Sequence, residues 1–308
     1  MGSGYSSSDA SKSVNITESE KSARNVLENI GIKYIMRKKK SEWIYKSMKG
    51  TFQTPSFMMA CTGRLEEDIR PAPGDLSELS RKFHTNIPIE AARNPCYGRE
   101  QKRFGEDEGF ECGSRIRDYN KKDSGTSCAP PRRRHICDKN LEYLNNNNTD
   151  DTDDLLGNVL VTAKYEGQSI VENHPQKGTS EVCTALARSF ADIGDIVRGR
   201  DMFKSNKNVE IGLKKVFDKI YDKLGTEGKK YYNDTNNKIN YVKLREDWWK
   251  VNRDQVWRAI TCAARYHPGY FKKSDRSTQV FSNRQCGHYE DAPPTNLDYV
   301  PQFLRWFD

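Results

Sequence analysis

Apolar residues return along this chain in four helical stripes. Leu156, Val159, Leu160 and Ala163 recur at spacings of three and four, after an Asn- and Asp-rich tract from Asn145 to Asp154 that reads as a solvated loop. Cys183, Leu186, Ala187, Phe190, Ile193 and Val197 make a second seam, and Val209, Leu213, Val216, Ile220 and Leu224 a third. The fourth carries Leu244, Trp248, Trp249, Val251, Val256 and Ile260, with His267-Pro268-Gly269 as its stop. Trp248, Trp249 and Trp257 keep the helical spacing, which assigns them to the core rather than to a stacking platform. No alternating run of similar length occurs, so few strands are expected, and the fold class is all-α with a helical bundle as its main part.

Upstream the pattern changes twice. Thr17 to Glu20 forms a capping box ahead of a short helical face, Val26, Leu27, Ile30 and Tyr34, weakened by Gly31 and followed by the basic run Arg37 to Lys40. This reads as a helical arm after a disordered start. From Cys61 to Cys128 the periodicity fades into Gly, Pro, Asn and charged residues, as in a loop-rich segment held by cross-links. The chain stops at Trp306-Phe307-Asp308, which reads as a truncation inside a helix.

Composition sharpens this picture. Only 35% of the 308 residues are apolar and 31% are charged, so the core must be concentrated in the four stripes. No run approaches the ~20 apolar residues of a membrane span, and the start lacks the apolar stretch of a secretory signal. Eight cysteines, Cys61, Cys96, Cys112, Cys128, Cys137, Cys183, Cys262 and Cys286, contain no C-x-x-C pair, and their even number suits disulfides of an oxidising compartment. The missing signal and the paired cysteines point in opposite directions.

With 51 Lys and Arg against 43 Asp and Glu, the net charge of +8 makes anionic partners plausible. The candidate contact residues are Arg37, Lys38, Lys39 and Lys40, then Arg99, Lys102 and Arg103, then Lys214 and Lys215. Nucleic acid is disfavoured, because aromatic and basic residues do not interleave. Catalysis finds no support either: H-E-x-x-H, G-x-S-x-G and G-x-G-x-x-G are all missing, and Gly225 to Lys229 has the wrong spacing for a phosphate loop. His135 with Cys137 and Cys286 with His288 are the nearest metal-ligand pairs, without a matching second pair at zinc spacing, so no metal and no cofactor are expected.

Two charged segments stand out. In Ala187 to Asp201, Arg188 with Asp192 and Asp195 with Arg198 lie three or four apart on an apolar helix; buried, satisfied charge pairs explain them better than acid–base chemistry. In Cys128 to Cys137, Arg132, Arg133 and Arg134 either fork onto an anionic ligand or pair with acids of neighbouring helices, and the second reading is favoured. Sequons at Asn15, Asn147 and Asn233 lie in polar segments and discriminate nothing.

These segments together resemble the N-terminal segment plus a Duffy-binding-like domain of the alpha class, from the Plasmodium falciparum erythrocyte membrane protein 1 family of variant antigens. The likeness is carried by Val26 to Gly31, Pro95 to Glu100 with Arg103-Phe104, Cys128 to Cys137, Thr162 to Gly167 and Ala187 to Arg200. It continues through Asp247-Trp248-Trp249, Val256-Trp257 and Asp298 to Phe307; the region from Gly50 to Glu90 follows no such pattern. The resemblance implies a division into an N-terminal segment (1–60), a loop-rich subdomain one (61–127) and a helical subdomain two (128–308), with a third subdomain beyond the end. It implies a module on the infected red-cell surface, exported without an ordinary signal and anchored by a distant membrane span. Its expected partners are erythrocyte or endothelial receptors, sulfated or sialylated glycans including heparan-sulfate-like chains in rosetting, and antibodies, with no membrane insertion by this part. The alternative is a scaffold and immune decoy that displays variable loops without holding a ligand. Eight cysteines permit 105 pairings, among which a link from Cys137 to the helix carrying Cys262 is expected.

Overall fold

The computed structural model describes residues 47–50, 94–99, 103–104, 109–113, 116, 128–144, 149–177, 179–203, 207–233, 241–264, 271–274, 277–280, 285–288, 290 and 292–306. The expected arm, its capping box, Cys61, and the sequons at Asn15 and Asn147 lie outside them; Asn233 is exposed. All four stripes become helices: α2 (Thr152–Asn173), α3 (Ser180–Arg198), α4 (Lys207–Asp222) and α6 (Val242–Thr261). Short helices fill in α1 (Pro131–Arg134), α5 (Thr226–Tyr231) and α7 (Gln302–Arg305). Strands are few among the described residues: the pair β1 (Glu111–Cys112) and β2 (Cys128–Ala129), and the hairpin β3 (Phe271–Ser274) with β4 (Ser277–Val280).

Helix ends follow local chemistry. The acidic tract read as loop in fact begins α2: the Asp151 carboxylate accepts from the backbone N–H of Asp153 and Asp154, and Asp153 and Asp154 then occupy the first turn, where the helix dipole favours anions. Thr179 caps α3 in the same way, and Gly199 closes it at φ 69°, the left-handed conformation that glycine adopts without strain. Helix α6 stops at Thr261, short of His267-Pro268-Gly269, which lies outside the described residues. There the Thr261 hydroxyl donates back to the Trp257 carbonyl at 2.7 Å, and Cys262 is disulfide-bonded.

The core forms where α6 lies across α2 and α3. Trp248, Trp249 and Trp257 are all buried, as expected, and Phe190 of α3 meets the rings of Trp249 and Trp257 at 5.2 Å each. The α2–α6 crossing is so close that a Cβ on Gly167 would fall on the Ile260 carbonyl. A smaller cluster of Ile116, Ala129, Met202, Phe203 and Trp306 ties β2 to the C-terminal segment.

Three disulfides join described residues: Cys96–Cys137, Cys112–Cys128 and Cys183–Cys286. Cys137 therefore does not reach the helix carrying Cys262. The Pro95 carbonyl accepts from the Lys139 N–H at 3.0 Å, and this hydrogen bond lays the 94–99 turn, with Cys96, beside Cys137. Because Cys137 and Cys286 are oxidised, neither offers a thiolate to its neighbouring histidine, and no metal-binding cluster occurs among the described residues.

Two outcomes follow from this packing. Gly167→Ala forces α2 and α6 apart and should lower stability by about 2–4 kcal/mol, read from the urea midpoint of the oxidised chain. His288 is buried against Thr261, 2.8 Å from its hydroxyl, and burial, then the charge of Arg258, holds its pKa down to about 4. A histidine with a depressed folded pKa gives stability that is complete above the unfolded value and is lost as pH falls toward the folded one. Unfolding free energy should drop by roughly 2 kcal/mol between pH 7.5 and 5, and urea melts of His288→Gln should show that drop removed.

Candidate functional site

Pro130 and Pro131 start α1 where missing N–H groups cost nothing, so three consecutive arginines leave one short turn in three directions. Arg132 donates to Asp192 at 2.7 Å and to the Ser189 hydroxyl at 3.0 Å, both on α3. Arg133 forks onto Asp201 and lies over the Phe203 ring, 5.4 Å from its centroid. Arg134, at the surface, meets Glu111 at 2.9 Å and the Gly109 carbonyl at 3.1 Å. The segment is thus a three-way internal clamp, in agreement with the structural reading of its arginines.

Helix α3 supplies the acids. Asp192 is met by Arg132 and, from α7, by Arg305 at 3.4 Å and Gln302 at 3.2 Å. Asp195 pairs with Arg198 one turn on, as its spacing suggested, and with Arg305. The two carboxyls titrate in opposite directions. Burial pushes Asp192 up, but Arg132, Arg305 and Arg133 outweigh it and leave Asp192 below the usual carboxylate range. For Asp195 burial wins over Arg305 and Arg198, and its pKa is raised. Arg198 also donates to the Asp298 carbonyl and lies between the rings of Trp249 and Tyr299. The Asp298 carboxylate accepts from Arg253 through two nitrogens, at 2.7 and 2.8 Å, and from the Trp249 indole at 2.8 Å. With both aspartates of α3 held by guanidinium groups, this cluster locks elements of the fold together.

The sequence-derived contact residues are scattered. Arg37, Lys38, Lys39, Lys40 and Lys102 lie outside the described residues. Arg99 bonds Glu142 at 2.8 Å and Asp138 at 3.0 Å. Arg103 is fully buried against Glu166, which also accepts from the Ser189 hydroxyl and the Cys137 N–H, so its charge faces inward and cannot meet a ligand in this fold. Burial lowers the Arg103 pKa, and Glu166 only partly offsets that. Lys215 is exposed and Lys214 half-buried on α4, with no ion pair to either among the described residues.

Exposed apolar side chains lie around these cations. Ile211 is 53% exposed, one turn before Lys214 and Lys215; its position off the Val209, Leu213, Val216 seam is the signal that marks it. Tyr97 and Phe110 are also exposed, beside the turn of Arg99 and the anchor of Arg134, and nothing in their spacing distinguishes them.

Removing a buried partner is costly, whereas removing a surface one is not. Asp192→Ala strands Arg132 and takes from Arg305 one of its two acidic partners; it should cost about 3–5 kcal/mol by denaturant unfolding, while Arg134→Ala should cost under about 1 kcal/mol.

The chain is similar to known proteins in both sequence and fold. The Duffy binding domain family matches residues 126–305, more than half of the chain. The double domain of NTS-DBL1-alpha and CIDR-gamma from PfEMP1 of the Plasmodium falciparum varO strain is 53% identical, with a TM-score of 0.80 over 92% of this chain and 42% of that one. A DBLb domain of PfEMP1 solved bound to human ICAM-1 is 28% identical, with a TM-score of 0.66 over 92% of this chain and 60% of that one. The Duffy receptor of Plasmodium vivax (strain Salvador I) is 27% identical over 156 residues, 47% of this chain and 13% of the receptor. The chain therefore spans only a part of each of these relatives.

Proposed function

The chain belongs to the Duffy binding domain family, a family of adhesion and receptor-binding modules, and from that premise we propose that it binds host cell-surface receptors through an anionic glycan or glycoprotein. The observation that carries this reading is the division of cations. Arg103, Arg132, Arg133, Arg198, Arg245, Arg253 and Arg305 are buried and bonded inside the fold, while Lys214 and Lys215 keep their charge near solvent beside the exposed Ile211. Ammonium groups on flexible stems suit a sulfated or sialylated chain, whose charges vary in position and demand no fixed fork. That a PfEMP1 domain of this fold was solved bound to human ICAM-1 supports receptor binding as the general task.

The same reading places the module on the infected red-cell surface as the extracellular part of a larger protein, and divides it at residues 60/61 and 127/128. Among the described residues no helix is long and apolar enough to cross a membrane. Exposed cations act over about 10 Å or less in physiological salt, so binding should weaken as salt rises. The test is binding of the oxidised chain to immobilised heparin and to uninfected red cells at low and physiological salt. Reversing Lys214 and Lys215 to Glu should weaken heparin binding about 10-fold at low salt without changing the melting curve. A second variant reversing Arg37, Lys38, Lys39 and Lys40 measures the share of the arm. Absence of binding by a chain shown to be folded would overturn the glycan reading and favour the scaffold and decoy role.

A further inference from the structure

The three disulfides between described residues differ in their access to solvent. Cys183 and Cys286 are 0% exposed, and Cys96 and Cys137 are 4% and 0% exposed. Cys112 is exposed and Cys128 half-buried. Thiol–disulfide exchange requires a thiolate to approach a sulfur along the S–S axis, so access to the sulfur controls the rate. Only the Cys112–Cys128 pair, among these three, offers such an approach.

Its surroundings also limit what its opening would disturb. The two cysteines face each other across the β1–β2 ladder, which is two residues long on each strand and too short to persist alone. Past Cys128 the chain is held independently: Ala129 is buried in the smaller core cluster, and Arg132 and Arg133 are anchored on Asp192 and Asp201. On the other strand, Glu111 remains tied to Arg134 and Ile116 bridges to Phe203. The bond therefore closes a local link and is not needed to keep the helices together.

We propose that Cys112–Cys128 is a thiol–disulfide exchange site for dithiol reductants, small dithiols or a dithiol protein presenting an exposed cysteine. A thiolate of the reductant attacks Cys112 Sγ, forming a mixed disulfide and breaking the bond to Cys128, which leaves as a thiolate and takes a proton from water. The second thiol of the reductant then attacks its own sulfur in the mixed disulfide and expels Cys112. Two electrons pass to the protein, which ends with two thiols, and the reductant ends as a disulfide. The exchange unfastens β1 from β2 and leaves the arginine clamp in place, so the surface carrying Phe110 is redox-addressable within an intact helical fold.

The test is graded reduction of the oxidised 308-residue chain with dithiothreitol, quenching with iodoacetamide, peptide mass spectrometry and circular dichroism on the same samples. Alkylation of Cys112 and Cys128 should run at least about 10-fold ahead of Cys96, Cys137, Cys183 and Cys286, with the helical signal unchanged. A Cys112→Ser/Cys128→Ser variant should keep that signal and show no early alkylation of Cys96, Cys137, Cys183 or Cys286. Labelling of Cys96 or Cys137 first, or of all six together with loss of helix, would overturn the proposal. If the variant fails to fold, the bond is needed for the core and the proposal fails on that ground as well.

Discussion

The carboxylates of Asp192 and Asp195, buried on α3, are the constraint around which the described structure is arranged. An isolated carboxylate in such a place costs several kcal/mol in lost hydration, so each must find a cation. The cations come from three places along the chain: Arg132 from α1, Arg305 from α7 and Arg198 from α3 itself. Such pairs add little net stability over a well-packed apolar substitute, yet any arrangement that leaves one partner alone is heavily penalised. Once α3 is buried, α1 and the C-terminal segment have only one place to go. Asp298, in the turn Leu297–Tyr299, repeats the device by gathering Arg253 and the Trp249 indole of α6.

This use of arginine explains how, in a chain of net charge +8, seven arginines among the described residues can lie buried. The planar fork fits fixed carboxylates and aromatic faces, as at Arg198 between Trp249 and Tyr299. Lysine, strongly hydrated and flexible, stays near the surface of α4. Among the described residues the cations thus separate into an internal skeleton and a solvent-facing remainder, and only the second can answer to salt. With such a separation, surface residues can change without disturbing the pairs that hold the fold.

The disulfides divide along similar lines. Cys183–Cys286, buried beneath the bundle, pins the segment of His288 to α3, and Cys96–Cys137 fastens the 94–99 turn next to the Glu166 network. Cys112–Cys128 instead secures a two-residue ladder at the surface. Cross-links of equal chemistry therefore carry unequal structural weight, set by how much of the protein packs over them.

By itself the sequence determined the all-α class, the four long helices and the burial of Trp248, Trp249 and Trp257, because a period of 3.6 residues is a local property that the chain displays without folding. It also marked the Asp195–Arg198 pair, one helical turn apart, and the family, through motifs recurring in order. Tertiary structure decided what depends on distant segments meeting. Arg103, a surface candidate by its charge, is buried because Glu166 awaits it on α2. A charge or a thiol carries no record in sequence of which partner will reach it. That choice is made by packing, where the cost of a buried unpaired group selects one arrangement.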